Sequence, residues 1–268
     1  MKSNIGASEP LYGFIVWVVS NLGIERDYFL ALINGFFAVG LAYLGYKLNF
    51  KWYYILFLLL NYYIMVLMFS AERLKFGFLF LTLGLCAENK NIKNCFFLFS
   101  LLCHFQIIII YICYGFYFIL KEVKKVVFTS KISMGYLLSL PLFFLLFIAF
   151  CYFFYVPIST KLMIYLKDGS DIGEYLKIIA LMFSSLFIFK SKSDLSKFFV
   201  FIVPIVFLIG LIGGYRVNIL AFFILVYIYA RGSKGSNVIL TFILVYFFIK
   251  AIVFVNNVLV YGTGFPPN

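Results

Sequence analysis

Ser70–Ile110 reads SAERLKFGFLFLTLGLCAENKNIKNCFFLFSLLCHFQIIII. Three charged residues, Glu72, Arg73 and Lys75, stand at the mouth of its first apolar run. The only histidine of the chain, His104, lies deep inside the next run. Ionisable groups at membrane depth are expensive to desolvate, so Arg73 and His104 are the first candidates for function.

The rest of the chain makes lipid the expected solvent. Of its 268 residues, 65% are hydrophobic and 12% charged, where a soluble domain carries about 25% charged residues. Mean hydropathy is +1.08. The composition predicts an all-α, polytopic helical membrane protein forming a single integral membrane domain over residues 1–268. The net charge of +12 does not point to nucleic acid, because no basic patch is interleaved with aromatics. The lysines sit in short loops between apolar runs, where positive charge orients helices and meets anionic lipid. The 5 cysteines form no CxxC pair. Cys103 beside His104 is no metal signal, since adjacent helical residues point about 100° apart. Neither a metal nor a cofactor is expected. The polar opening MKSNIGASEP and the absence of a small-residue cleavage site argue against a cleavable signal peptide.

Along the whole chain, the apolar runs predict nine to ten membrane segments, some short or broken. Residues 9–23 are expected to form a juxtamembrane helix. Its apolar run is too short to span, and Leu11, Ile15, Val18, Val19 and Leu22 share one face. Spans are expected over 28–46, 52–69, 74–87, 94–120, 133–156, 177–189, 198–213, 217–230 and 238–255. Residues 157–176 are expected to be an outer polar loop. If 94–120 crosses once, the lysine-rich segment KEVKKVVFTSK at 121–131 falls outside, against the positive-inside rule. A break at His104–Gln106, with two short halves running in and back, instead sorts thirteen basic residues inside and seven outside. It also places Glu9, Arg73, His104, Lys161, Tyr165 and Arg216 on one outer side.

The order of these residues resembles a known family. EPLYGFIVWV with Glu9, ERLKFGFLFLTLGL with Arg73, LLCHFQIIII with His104, KLMIY with Lys161 and Tyr165, and GGYRVNILAFF with Arg216 follow one another. That series is similar to the EpsG-like branch of the Wzy-type polymerases, which join repeat units of exopolysaccharide, O-antigen and capsule. Two departures stand out. Arg73 is followed by Leu74 where members usually have Gln, and members usually carry a further span and loop before the Glu. The resemblance implies a fold like the GT-C glycosyltransferases. It also implies a multi-pass protein of the bacterial cytoplasmic membrane that acts on undecaprenyl-pyrophosphate-linked glycan at the outer face. Membrane lipid, a flippase and a chain-length regulator would be its partners, and nucleic acid would not.

That chemistry needs cations for the developing pyrophosphate charge and a base near the acceptor hydroxyl. His104 and Glu9 are the catalytic candidates. Arg73, Arg216, Lys161 and Tyr165 are the substrate-binding candidates. Each has a plainer alternative. Arg73 could be an interface arginine paired with Glu72 or Glu9, and Glu9 a surface helix cap. His104 could be a buried structural histidine bonding across helices, and Arg216 part of a tight turn. Lys161 and Tyr165, four apart on one helical face, could be an interfacial anchor. A transporter of lipid-linked sugars, a polysaccharide acyltransferase and a non-catalytic assembly subunit are the competing functions. No inverted repeat and no paired intramembrane carboxylates favour the transporter.

Overall fold

The computed structural model describes residues 9–129, 172–212, 214–232 and 237–262, with 152, 155 and 159; the side chains of 122, 124–129 and 210–216 fall outside that description. Among the described residues every regular element is a helix. The chain divides into two compact units, residues 1–108 with 229–268, and residues 109–228.

The first unit holds α1 (Pro10–Asn21), α2 (Arg26–Lys47), α3 (Trp52–Leu59), α4 (Tyr62–Phe69), α5 (Glu72–Cys86) and α6 (Lys90–Cys103), and all of α11 (Val238–Tyr261) belongs with them. Helices α2 and α11 are long and apolar enough to cross a membrane, and α3 with α4 makes a third candidate if that pair is one span bent by 45°. The count among the described residues is therefore two or three, fewer than the nine to ten membrane segments that the apolar runs predict. The runs are interrupted. Trp52–Phe69 stops at Leu60 because Asn61 caps a new helix, its Oδ1 accepting from the Tyr63 amide at 2.9 Å. Helices α4, α5 and α6, at 8, 15 and 14 residues, are each shorter than the roughly 20 that a straight crossing needs. Large apolar side chains face outward nonetheless, among them Trp52, Phe242 and Leu259 at 75%, 70% and 80% exposure. A water-facing surface would not favour them, but lipid does.

Helix α6 ends at Cys103, His104 is extended (φ −157°, ψ 119°), and a 3-10 turn at Phe105–Ile107 leads into α7 (Ile108–Thr129). The backbone break thus falls at His104. Two glycines seven residues apart on α5 bring α6 and this turn close. A Cβ at Gly84 would stand 2.5 Å from Phe97 Cδ1, and one at Gly77 would stand 2.9 Å from Ile107 Cγ1 and 3.3 Å from His104 Cβ. Lys47 Nζ donates to the Cys86 carbonyl at 2.8 Å and so closes the C-terminal end of α5 with a cation, the sign the helix dipole favours there. Aromatic rings seat α4 on α11, with Tyr63 and Phe247 centroids 4.7 Å apart. The buried Tyr54 hydroxyl accepts from the Asn237 amide at 2.8 Å and donates to its carbonyl at 3.1 Å, tying α3 to the start of α11.

The second unit contains most of α7, α8 (Ile172–Ile188), α9 (Lys192–Ile212) and most of α10 (Gly214–Gly232). In it Glu174 of α8 is buried, bonded by Lys177 one turn on and by the Asn218 amide of α10. A buried carboxylate held by two donors is the arrangement that desolvation demands.

Candidate functional site

Glu9 stands at the N-cap of α1 in extended backbone (φ −90°, ψ 109°), with Pro10 at the first helical position. A carboxylate there usually turns back onto the first amides of its own helix. Glu9 makes no such bond. Its carboxylate is fully buried and reaches two other segments. Oε2 accepts from Arg73 Nη1 at 3.1 Å, and Oε1 lies 3.1 Å from His104 Nδ1. The surface cap considered for Glu9 is therefore not what forms. Two residues 64 and 95 positions away in the chain, Arg73 and His104, thus converge on one buried carboxylate.

The geometry fixes the histidine. Nδ1 faces a carboxylate, so it carries a proton and donates. Nε2 lies 3.1 Å from Gln106 Oε1. An imidazolium would donate to that oxygen, and a neutral ring would accept from the same amide turned end for end. In both states Nδ1–H points at Glu9 and Nε2 is the nitrogen left to exchange partners. His104 is 5% exposed and sits in extended backbone just past the end of α6. Arg73 is different, because its side chain remains 41% exposed while touching the buried Glu9. The arrangement is an oriented imidazole beside a guanidinium that opens to the exterior of the unit.

A second set of contacts lies at the start of α5. Glu72 accepts from the Tyr12 hydroxyl through Oε1 and from Arg26 Nη2 through Oε2, both at 2.8 Å. Burial alone would raise the Glu72 pKa, but the bonds from Arg26 and Tyr12 outweigh it and hold the carboxyl below its ordinary value of 4.5. Burial first, and then the neighbouring Glu72, pushes the Tyr12 hydroxyl well up, so it stays a donor. Arg26 is 75% exposed, and a pair so open to water contributes only about 0–1 kcal/mol. Helix α1 buries none of its own residues, so Glu9 and Tyr12 are its polar ties to α5, helped by an edge contact of Tyr12 on Phe76 at 5.6 Å. Lys75, one turn inside α5, is fully buried and donates to Asn34 Oδ1 at 2.7 Å.

The lowered Glu72 pKa sets a sign for pH dependence. Its contribution is complete above the ordinary value of 4.5 and fades as pH falls below it, through the depressed folded value. The difference in thermal midpoint between the wild type and Glu72→Gln should be constant from neutral pH down to about 4.5 and then shrink. A difference that grows on acidification would contradict this assignment.

Of the residues singled out in the sequence, Glu9, Arg73 and His104 come together. Arg216 lies in the first turn of α10, in the other unit, and its side chain is outside the description. Lys161 and Tyr165 lie outside the described residues. Arg73 takes Glu9 as its partner, and Glu72 is left to Arg26. The sequence does not mark Tyr12, Gln106, Arg26 or Glu72 as site residues. A signal existed for Tyr12, which stands three residues after Glu9 and hence on the same helical face. No group of three or more metal-ligating side chains occurs among the described residues. No protein-family model matches the chain, and neither a curated protein nor a solved structure does.

Proposed function

We propose that this chain is a membrane glycosyltransferase that joins undecaprenyl-pyrophosphate-linked oligosaccharide repeats at the outer face of the bacterial cytoplasmic membrane. One observation carries the reading: a single buried carboxylate, Glu9, orients the imidazole of His104 with one oxygen and holds Arg73 with the other. In the transfer, an acceptor sugar hydroxyl attacks the anomeric carbon of the donor. A carbon–oxygen bond forms there as the bond to the pyrophosphate oxygen breaks. The hydroxyl proton passes to His104 Nε2, for which Gln106 must give up its present contact. The bonding pair leaves with the lipid pyrophosphate, whose charge Arg73 takes up. Arg suits this work because its fork stays charged and meets phosphate oxygens in pairs. The same fold reading adds further short membrane segments to the two or three that length and composition identify. Lys161, Tyr165 and Arg216 would contact glycan or headgroup, and a flippase and a chain-length regulator would work alongside.

Deletion followed by glycan analysis tests the proposal. Loss of the polymer ladder with single-repeat products retained is the expected result. Accumulation of lipid-linked repeat on the cytoplasmic side would make the protein a flippase instead. A normal ladder lacking acyl groups would make it an acyltransferase.

A further inference from the structure

We propose that Arg26, with Tyr12 and Glu72, forms the second half of the anion site and takes the second phosphate of a polyprenyl diphosphate. The inference rests on the reading of Arg73 as a pyrophosphate ligand and adds residues which that reading does not contain.

The two arginines stand at one mouth. Arg26 is the first residue of α2, and it bonds Glu72, the first residue of α5 and the chain neighbour of Arg73. The Tyr12 hydroxyl, bonded to that same Glu72, feels the charge of both guanidiniums. Each arginine has a carboxylate, but the two carboxylates differ in burial. Glu9 is fully buried, so stripping Arg73 from it would leave a bare charge away from water. Arg73 must therefore keep Glu9 and meet a ligand with the face that remains exposed. Glu72 keeps 22% of its side chain exposed, and its partner Arg26 keeps 75%. Of the two pairs it is the one that water reaches, so it is the one that can open, at a cost set by the mostly buried Glu72 carboxylate.

Charge and chemistry then suggest what opens it. Arg26, Arg73 and Lys75 stand against the carboxylates Glu9, Glu72 and Asp27, so the charges at the mouth balance and a ligand phosphate must replace a carboxylate partner rather than fill a positive excess. A monophosphate can be satisfied by Arg73 alone. A diphosphate brings a second group of oxygens one bridging oxygen away, and Arg26 can exchange Glu72 for it as a bidentate partner. The Tyr12 hydroxyl, released from Glu72 in the same exchange, has a proton to give. Glu72 thus acts as an internal stand-in for the second phosphate, and it occupies Arg26 until the lipid arrives.

Binding separates this idea from its parent. The wild-type protein in nanodiscs should bind a polyprenyl diphosphate more tightly than a monophosphate of equal chain length. Arg26→Ala should lower diphosphate affinity by about tenfold or more, the worth of a charge-assisted pair, and leave monophosphate affinity unchanged. Glu72→Gln should raise diphosphate affinity, an effect that a purely structural Glu72 would not give. Arg73→Ala should weaken both lipids. If Arg26→Ala keeps the wild-type ratio while Arg73→Ala loses binding, the inference on Arg26 is wrong and the parent reading stands. If Glu72→Gln weakens the diphosphate, the exchange is wrong. If the wild type binds neither lipid, both readings fall together.

Discussion

Glu9→Gln should cut polymer formation by roughly 10²–10⁴-fold, the range that a positioned proton-transfer group typically supplies. Glutamine keeps the shape of the side chain and one carbonyl oxygen, so Arg73 or His104 can retain a neutral bond to it. What it removes is the carboxylate that fixes Nδ1–H and stabilises the ring when it takes a proton. His104→Ala should fall to a similar floor. Because the two act as one unit, the double variant should be little worse than either single one. Membranes carrying each variant, supplied with lipid-linked repeats and assayed for chain length, give the measurement. Glu9→Ala is the less informative change, since removing one member of a buried charge pair destabilises strongly, by about 3–5 kcal/mol for a fully buried pair and less here, where Arg73 is partly exposed. Glu9→Gln retaining activity within a few-fold of wild type would make the Glu9–His104 contact structural and leave the proposed base without its orienting partner.

Much of the frame could be read from the residues, and the parts that could not share a cause. The expected spans 28–46 and 238–255 sit within α2 and α11, because long unbroken apolar runs leave the backbone no alternative in lipid. The break at His104 came from counting lysines on either side of it. The break at Asn61 did not, although Asn is a preferred cap. A single Asn in the run LLLNYYIM signals a cap only when the backbone turns there, and that turn depends on the seat α4 finds against α11. The same limit hid the second half of the site. Glu72 has Arg73 beside it in the chain, yet its cation is Arg26, 46 residues away. Local order suggested the partner; packing of α2 and α5 start to start decided it. Glu9 shows the opposite case. The sequence offers it as one of two partners for Arg73, but nothing in a polar opening segment says that its carboxylate is fully buried. Burial is a property of three segments meeting, and it is what separates a helix cap from a group that can hold a histidine.

Gly77→Ala offers a test of whether the position of His104, rather than its identity, limits the reaction. The added Cβ would stand 2.9 Å from Ile107 Cγ1, closer than side-chain atoms pack, and 3.3 Å from His104 Cβ. Ile107 is fully buried, so it cannot swing out to the surface. The 3-10 turn must therefore shift off α5, carrying His104 away from Glu9. Misplacement of a catalytic group by about 1 Å can cost on the order of 10²-fold, so a loss of roughly 10–100-fold in polymer formation is expected. Stability should change by less than the crowding alone implies. Overpacking costs about 1–3 kcal/mol, while Ala in a helix interior is favoured over Gly by about 1 kcal/mol. Gly35→Ala on α2 is the matched control, since nothing lies within 4 Å of its would-be Cβ, and it should leave activity at the wild-type level. Adding Ile107→Ala to Gly77→Ala removes the closer clash and should restore part of the activity. If Gly77→Ala lowers thermal stability and polymer formation together, and Ile107→Ala recovers neither, then α5 supports the fold without setting the histidine, and the proposed base loses its positioning element.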